Sequence, residues 1–434
     1  MRSRFLLVLV LALALTACGQ GGTGGTAPTS APPPAQPTAA PTTPPAPTTA
    51  PPTEAAPTSA PEATAAPEAT AAPEATAAPA ASGTIKIGVM GPFTGGAATI
   101  GQEQLNFAKL AVEDYNKANG TKIELVEGDT ELDPAKAVTV AQRLVSDNDI
   151  YAIVGPAGSQ EVIAVAPIIG PTNMAFISPS ATRVDLTESG FKGFFRVVPR
   201  DDIQGATDAN FMIDQLKAKK VWIVDDQSAY STGLRDAVEK VLKDKGVTVT
   251  TDAITQKDSD FSGLVTKIKG DAPEVVFIPW QLAPQATQFA KQMAEQGVTA
   301  TIFGADGLFD ATNFIEGAAG ATDGAYVSFF APDVSGVEAA KPVVDAYKAK
   351  YGGQIGPFGA PTYVATMVAL EAIGRAQKAG APSRETVLAE VPKTDMSSSI
   401  LGIPIKFDAK GDVQNASFFL FQVKDSKFQL VSQS

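Results

Sequence analysis

Ile85-Lys-Ile-Gly-Val-Met90, followed at once by Gly91-Pro-Phe-Thr-Gly-Gly96, reads as a strand that ends in a glycine-rich turn. A short apolar run bounded by turn residues suits a strand buried on both faces. A helix fits the next stretch, 102–119, with Leu105, Ala108, Val112 and Tyr115 along one side. The alternation continues with a strand at 122–129 and a helix at 134–147, where Pro134 occupies the first turn. A strand at 151–154 runs into Gly155-Pro-Ala-Gly-Ser159 and a further apolar helix; a strand at 175–177 runs into Ser178-Pro-Ser-Ala-Thr182. Such β–α alternation implies a parallel sheet covered by helices on both faces.

A second series follows Phe194-Phe-Arg-Val-Val-Pro199. It holds a helix at 202–219, a strand at 221–224, the loop Asp225-Asp-Gln-Ser-Ala-Tyr230 and a helix carrying Leu234, Val238, Val241 and Leu242. Strands are expected at 247–254, 275–278, 301–303 and 325–328, then helices at 340–351 and 363–379 and a strand at 417–423. Two doubly wound α/β lobes with parallel sheets fit this length better than one sheet of more than about ten strands.

The segment ahead of this body has a different character. Arg2 and Arg4 precede an apolar run at 5–15, and then comes Leu15-Thr-Ala-Cys18. That is the plan of a secretory signal, and the run is shorter than the roughly 20 residues of a membrane span. Leu-Thr-Ala-Cys resembles a bacterial lipobox, which implies removal of residues 1–17 and lipidation of Cys18. Residues 19–82 are dominated by Gly, Pro, Ala, Thr and Ser, with a six-residue repeat restarting at Pro61, Pro67 and Pro73. Such composition buries too little apolar area to offset ordering entropy, so a disordered tether is expected, leaving a folded body at 83–434.

Two residue types narrow the function. The 434 residues include no histidine and one cysteine. Ser–His–Asp and Cys–His nucleophiles, HExxH zinc sites and internal disulfides are therefore excluded. A formal net charge of -12, with acids and bases mixed along the body, argues against nucleic-acid binding. There is no Walker loop, GxGxxG fingerprint or EF-hand spacing, so no nucleotide cofactor and no metal is expected.

Ligands of open parallel sheets bind outside the carboxyl ends of the strands. The loops there, at 94–100, 155–159, 178–182, 225–231, 279–282 and 305–309, offer hydroxyls, glycines, aromatics and a few carboxylates, with almost no cations. Position alone also gives each residue an ordinary local role. Ser159 reads as a helix N-cap, Thr182 as a loop cap and Asp306, before Gly307, as a turn residue. Trp280 reads as core or as a loop residue after Pro279.

The chain resembles the leucine/isoleucine/valine-binding protein family. The likeness starts at Ile85-Lys-Ile-Gly-Val-Met-Gly-Pro-Phe-Thr-Gly and runs through Leu110-Ala-Val-Glu-Asp-Tyr-Asn116, Asp133-Pro134 and Gly155-Pro-Ala-Gly-Ser. It continues in Ile177-Ser-Pro-Ser-Ala-Thr, Arg200-Asp-Asp-Ile-Gln-Gly205, Ala229-Tyr-Ser-Thr-Gly233, Gly304-Ala-Asp-Gly307 and Phe407-Asp-Ala-Lys-Gly-Asp412. The resemblance implies a type I periplasmic-binding fold whose lobes join by three crossings, near Arg200, Phe330 and Lys410. Lobe 1 would comprise about 83–200 and 331–410, and lobe 2 about 201–330 and 411–434.

The resemblance also implies a site. Ser159 and Thr182 would hold a ligand carboxylate, while the backbone at Ser180 would face the ammonium, which Asp306 neutralises; Ala181 would also belong to the ligand site. Tyr230 and Trp280 or Gln281 would come from the second lobe. Departures from the family pattern include Ile100, where an aromatic is common, and Gln281. The function so implied is capture of a branched-chain or related aliphatic amino acid by a monomeric lipoprotein. Its partners would be an ABC permease with ATPase subunits, and a membrane reached through the lipid anchor. A sensing lipoprotein, or a binder of an amide, urea or an aromatic acid, is the alternative. An enzyme would need convergent carboxylates, such as Asp225 or Asp226 with Asp306.

Overall fold

The computed structural model describes residues 84–353 and 355–433, so the signal, Cys18 and the tether lie outside the described residues. The first five strands are β1 (Lys86–Gly91), β2 (Glu124–Asp129), β3 (Ile150–Val154), β4 (Ala175–Ser178) and β5 (Phe194–Arg196). They pair in parallel in the order β2-β1-β3-β4-β5. A second sheet holds β6 (Lys220–Asp225), β7 (Thr248–Ala253), β8 (Val275–Ile278), β9 (Thr301–Gly304), β10 (Tyr326–Phe329), β11 (Phe419–Lys424) and β12 (Lys427–Gln433). Its order is β12-β11-β10-β9-β8-β6-β7. From β7 to β10 it repeats the winding of the first sheet: second strand, first, third, fourth, fifth.

The apolar strand runs follow from burial on both faces. Val221 and Ile223 of β6 join Val275 and Phe277 of β8 in one cluster, while Trp222, Val224, Val276 and Ile278 point into another. In the first sheet, Tyr151, Ala152 and Val154 of β3 face α1 (Ala98–Asn119) and α10 (Gly359–Ala379), whereas Ile150 and Ile153 face α2 (Pro134–Ser146) and α3 (Ser159–Ile169). Helix starts are fixed locally. Asp133 accepts from the backbone of Ala135 and Lys136 at 2.8 and 3.0 Å ahead of Pro134.

The all-parallel expectation for the second lobe needs correction. β11 runs antiparallel to β10 and β12 antiparallel to β11, because the chain returns from the first lobe to add a hairpin at the sheet's edge. The sequence reading also left β12 unassigned, along with α7 (Ser262–Asp271), α8 (Ala283–Glu295) and α11 (Arg384–Glu390).

The chain leaves the first sheet after β5 and enters the second lobe with α5 (Asp201–Asp214). It goes back after β10, and passes over once more ahead of β11. Asp412 still bridges to Arg196 at the edge of the first sheet, so this last passage follows it. Arg196 is fully buried; its Nε meets Asp412 Oδ1 at 2.5 Å, and it also donates to Thr187 and to the Arg183 carbonyl. Arg200 reaches the other Asp412 oxygen at 3.3 Å, so one carboxylate holds the first and last passages together.

Removing one partner of a buried ion pair strands the other charge, at a cost of about 3–5 kcal/mol. Asp412→Ala is therefore expected to lower unfolding stability by about that amount in urea titration. A loss within about 0.5 kcal/mol, the usual range for surface substitutions, would show that the clamp contributes nothing.

Candidate functional site

The two sheets have the same winding, so each has its switch point between its first and third strands. A small cavity lies where the loops from these points meet. Pro92 after β1 and Ala157, Gly158 and Ser159 after β3 line one side, with Ser180 after β4. Gln281 after β8, Asp306 and Gly307 after β9, and Tyr230 at the start of α6 (Ala229–Asp244) line the other. Ala97, Ile100, Leu132 and Phe358 add apolar wall. No Lys or Arg side chain is among the lining residues.

One end of this cavity suits an anion. Ser159 is the first residue of α3, so a helix N-terminus with its unpaired backbone N–H groups opens there. Its hydroxyl accepts from the Arg183 N–H at 3.3 Å and is almost fully buried. Ser180 is held by donation to the Ala157 carbonyl at 3.0 Å and by a bond from Gln104 at 3.1 Å.

The facing lobe carries an acid. Asp306 is 4 % exposed; its Oδ1 accepts from the Tyr230 hydroxyl at 2.6 Å and from Gln204 Nε2 at 2.9 Å. Burial pushes this carboxyl up to about 6 against the pull of those two hydrogen bonds. Gln204 also donates to Ser328, which donates to Asp208. Burial raises Asp201 to about 8 and Asp208 well above the usual carboxylate range. Gly307 is required beside the acid: a Cβ there would lie 2.4 Å from the Trp280 carbonyl, so glycine lets the two loops close up.

Five expected residues, Ser159, Ser180, Tyr230, Gln281 and Asp306, line the cavity together. Trp280, Ala181 and Thr182 are not among the lining residues. Trp280 is fully buried, packs on Phe261 and Phe289 and donates its indole N–H to the Val224 carbonyl at 2.7 Å. Its neighbour Gln281 faces the cleft instead, held by its backbone N–H on Asp226 at 2.9 Å. Ala181 packs in the core of the first lobe. Thr182 is fully buried, with its carbonyl accepting from the Asp201 N–H at 2.9 Å. Sequence reasoning missed Gln204, Leu132 and Phe358. Only Phe358, within Gly356-Pro-Phe-Gly359 before a long helix, carried a local signal.

The lobes touch across the cleft. Gln160 and Gln281 exchange amide hydrogen bonds, Thr99 donates to Asp310 at 3.0 Å, and Arg183 reaches the Ala229 carbonyl and Thr232. Two α/β lobes shut over a small cavity between their switch points define a two-lobed binding protein. A family model for periplasmic binding proteins matches residues 84–427, and the chain belongs to that family.

Relatives agree. An amino acid binding protein of Pseudomonas aeruginosa is 33% identical over 346 residues, covering 79% of this chain and 90% of the relative. A Leu/Ile/Val-binding protein of Rhizobium johnstonii is 32% identical over 353 residues, covering 80% and 94%. The leucine-binding protein LivK of Thermotoga maritima superposes with a TM-score of 0.74 at 28% identity, covering 81% and 98%. LivJ of Streptococcus pneumoniae, a branched-chain amino acid transporter substrate-binding protein solved with isoleucine, gives 0.72 at 27%, covering 80% and 99%.

Glu103 and Glu161 are also buried, with carboxyls raised to about 8 and about 7 by that burial. Together with Asp201 and Asp306 they bind protons more tightly folded than unfolded. Stability of the ligand-free protein is therefore expected to fall as pH rises from about 5 to 8. Urea midpoints across that range check it; a midpoint that climbs with pH would contradict the buried-acid account.

Proposed function

We propose that this protein captures a branched-chain or related aliphatic α-amino acid outside the cytoplasm and delivers it to an ABC permease. One observation supports this above the others: a buried carboxylate with no Lys or Arg among its cavity neighbours lies across the cavity from a helix N-terminus and the Ser159 hydroxyl. An α-amino acid satisfies both ends at once. Its carboxylate meets the Ser159 hydroxyl and the first turn of α3; its ammonium neutralises Asp306 in a low-dielectric cleft. Its side chain then lies against Ile100, Leu132 and Phe358, none of which offers it a side-chain hydrogen bond. The names of the P. aeruginosa, R. johnstonii, T. maritima and S. pneumoniae relatives support the same ligand class.

The reading involves no chemistry on the ligand. Asp225 is paired with Arg235 at 2.6 Å, Asp226 is spent on Gln281, Gln256 and Ser228, and neither lines the cavity with Asp306. The ligand is bound on one lobe, enclosed by the other and presented to the permease, whose ATPase subunits drive release. Lipidation at Cys18 would hold the monomer at the membrane while residues 19–82 give it reach. Replacing Cys18 by Ser is expected to move the protein from the membrane fraction to the soluble fraction on sedimentation. Retention in the membrane would remove the anchor.

Calorimetric titration with leucine, isoleucine, valine, small amides, urea and benzoate tests the ligand class. The aliphatic amino acids are expected to bind saturably at one equivalent. Asp306→Ala should weaken them by at least about 30-fold, since it unpairs a buried charge worth about 2–5 kcal/mol. If all three amino acids fail while an amide or benzoate binds, the ligand class is wrong.

A further inference from the structure

We propose that Gln160 and Gln281 form an amide clasp across the cleft that sets how long the ligand stays. This rests on the closed-cleft reading above. Gln160 is the second residue of α3, next to Ser159, and Gln281 sits on the facing lobe at the cavity edge. Gln160 Nε2 donates to Gln281 Oε1 at 2.9 Å, and Gln281 Nε2 donates back to Gln160 Oε1 at 3.3 Å.

The second-lobe half is built to wait in place. Asp226 Oδ2 accepts from the Gln281 backbone N–H at 2.9 Å and from Gln256 Nε2 at 3.1 Å, and Gln256 also donates to Gln281 Oε1 at 2.9 Å. The Gln281 oxygen thus holds one donor from its own lobe and has one acceptor position left, which Gln160 fills. On the first lobe, Gln160 is steadied by the Leu132 carbonyl at 3.4 Å.

Two consequences follow from this wiring. The clasp forms only at the closure angle that also brings Ser159 and Asp306 to opposite sides of the cavity, so ligand and clasp favour the same state. Each amide spends part of its hydrogen-bonding capacity on the other, and the cavity edge is closed by uncharged groups. The pair is uncharged, so its effect does not weaken with salt as the Arg183 and Asp310 contacts do.

Two neutral hydrogen bonds correspond to about tenfold in an equilibrium. Stopped-flow measurement on the full chain with L-leucine is expected to show about tenfold faster dissociation for Gln160→Ala, with association little changed. Gln281→Ala should do the same, and the double substitution should add little beyond either single one. Gln160→Asn, one methylene too short to reach, should behave like Gln160→Ala. Additive effects, or an unchanged dissociation rate, would overturn the clasp.

A second readout does not depend on leucine. Spin labels at Lys136→Cys and Lys240→Cys in a Cys18→Ser background report the distance between lobes in the ligand-free chain. Gln160→Ala is expected to shift that distribution to longer distances, and an unchanged distribution would overturn the clasp. If the unsubstituted protein ignores leucine yet this shift appears, the ligand class is wrong and the clasp stands.

Discussion

An acid is buried where no Lys or Arg among the described residues lines the cavity to neutralise it. Asp306 lies in the shut cleft beside Asp201 and Asp208, with a tyrosine hydroxyl and a glutamine amide for company and no basic side chain on the cavity wall. Neutral donors can lower the cost of such a charge but cannot cancel it, which is why the carboxyl is raised to about 6. The closed protein is therefore electrostatically incomplete until a cation enters. That constraint explains why a chain without histidine can hold a small molecule and let it go: ionic balance, rather than proton-transfer chemistry, separates the loaded state from the empty one.

The fold serves that constraint in a chain of dependences. Two sheets wound in the same order bring their switch points face to face, so hydroxyls and a helix N-terminus come from one lobe and the acid from the other. Gln204, which steadies Asp306, stands in the first turn of the helix that emerges from the first passage between lobes. That passage is tied to the last one by Arg196, Arg200 and Asp412. Hinge and site are thus joined through one short helix, and a change in lobe angle is felt directly at the acid.

Much of this was legible in the sequence because both-faced burial writes itself as unbroken apolar runs. The strand at 275–278 was read to the residue, and the alternation alone separated two lobes. Strand β12 escaped because its residues, Lys427–Gln433, are largely exposed and polar, with no buried face to declare. The antiparallel edge escaped with it, since pairing direction depends on where the chain returns. At the site, neighbours decided the errors. Trp280 and Gln281 are adjacent, and one must face the core if the other faces the cleft; size and apolarity favoured the tryptophan for the core. Gln204 was invisible because its meaning lies in a residue 102 positions away.

The account stands or falls on whether the ligand's ammonium takes over the proton's place at Asp306. Calorimetry of L-leucine binding at pH 6, in buffers of different ionisation enthalpy, counts the protons released. Binding is predicted to release a fraction of a proton per leucine at that pH, and Asp306→Asn is predicted to abolish both that release and most of the affinity. The same heat in every buffer, or an Asp306→Asn variant that binds leucine as well as the unsubstituted protein, would contradict the account.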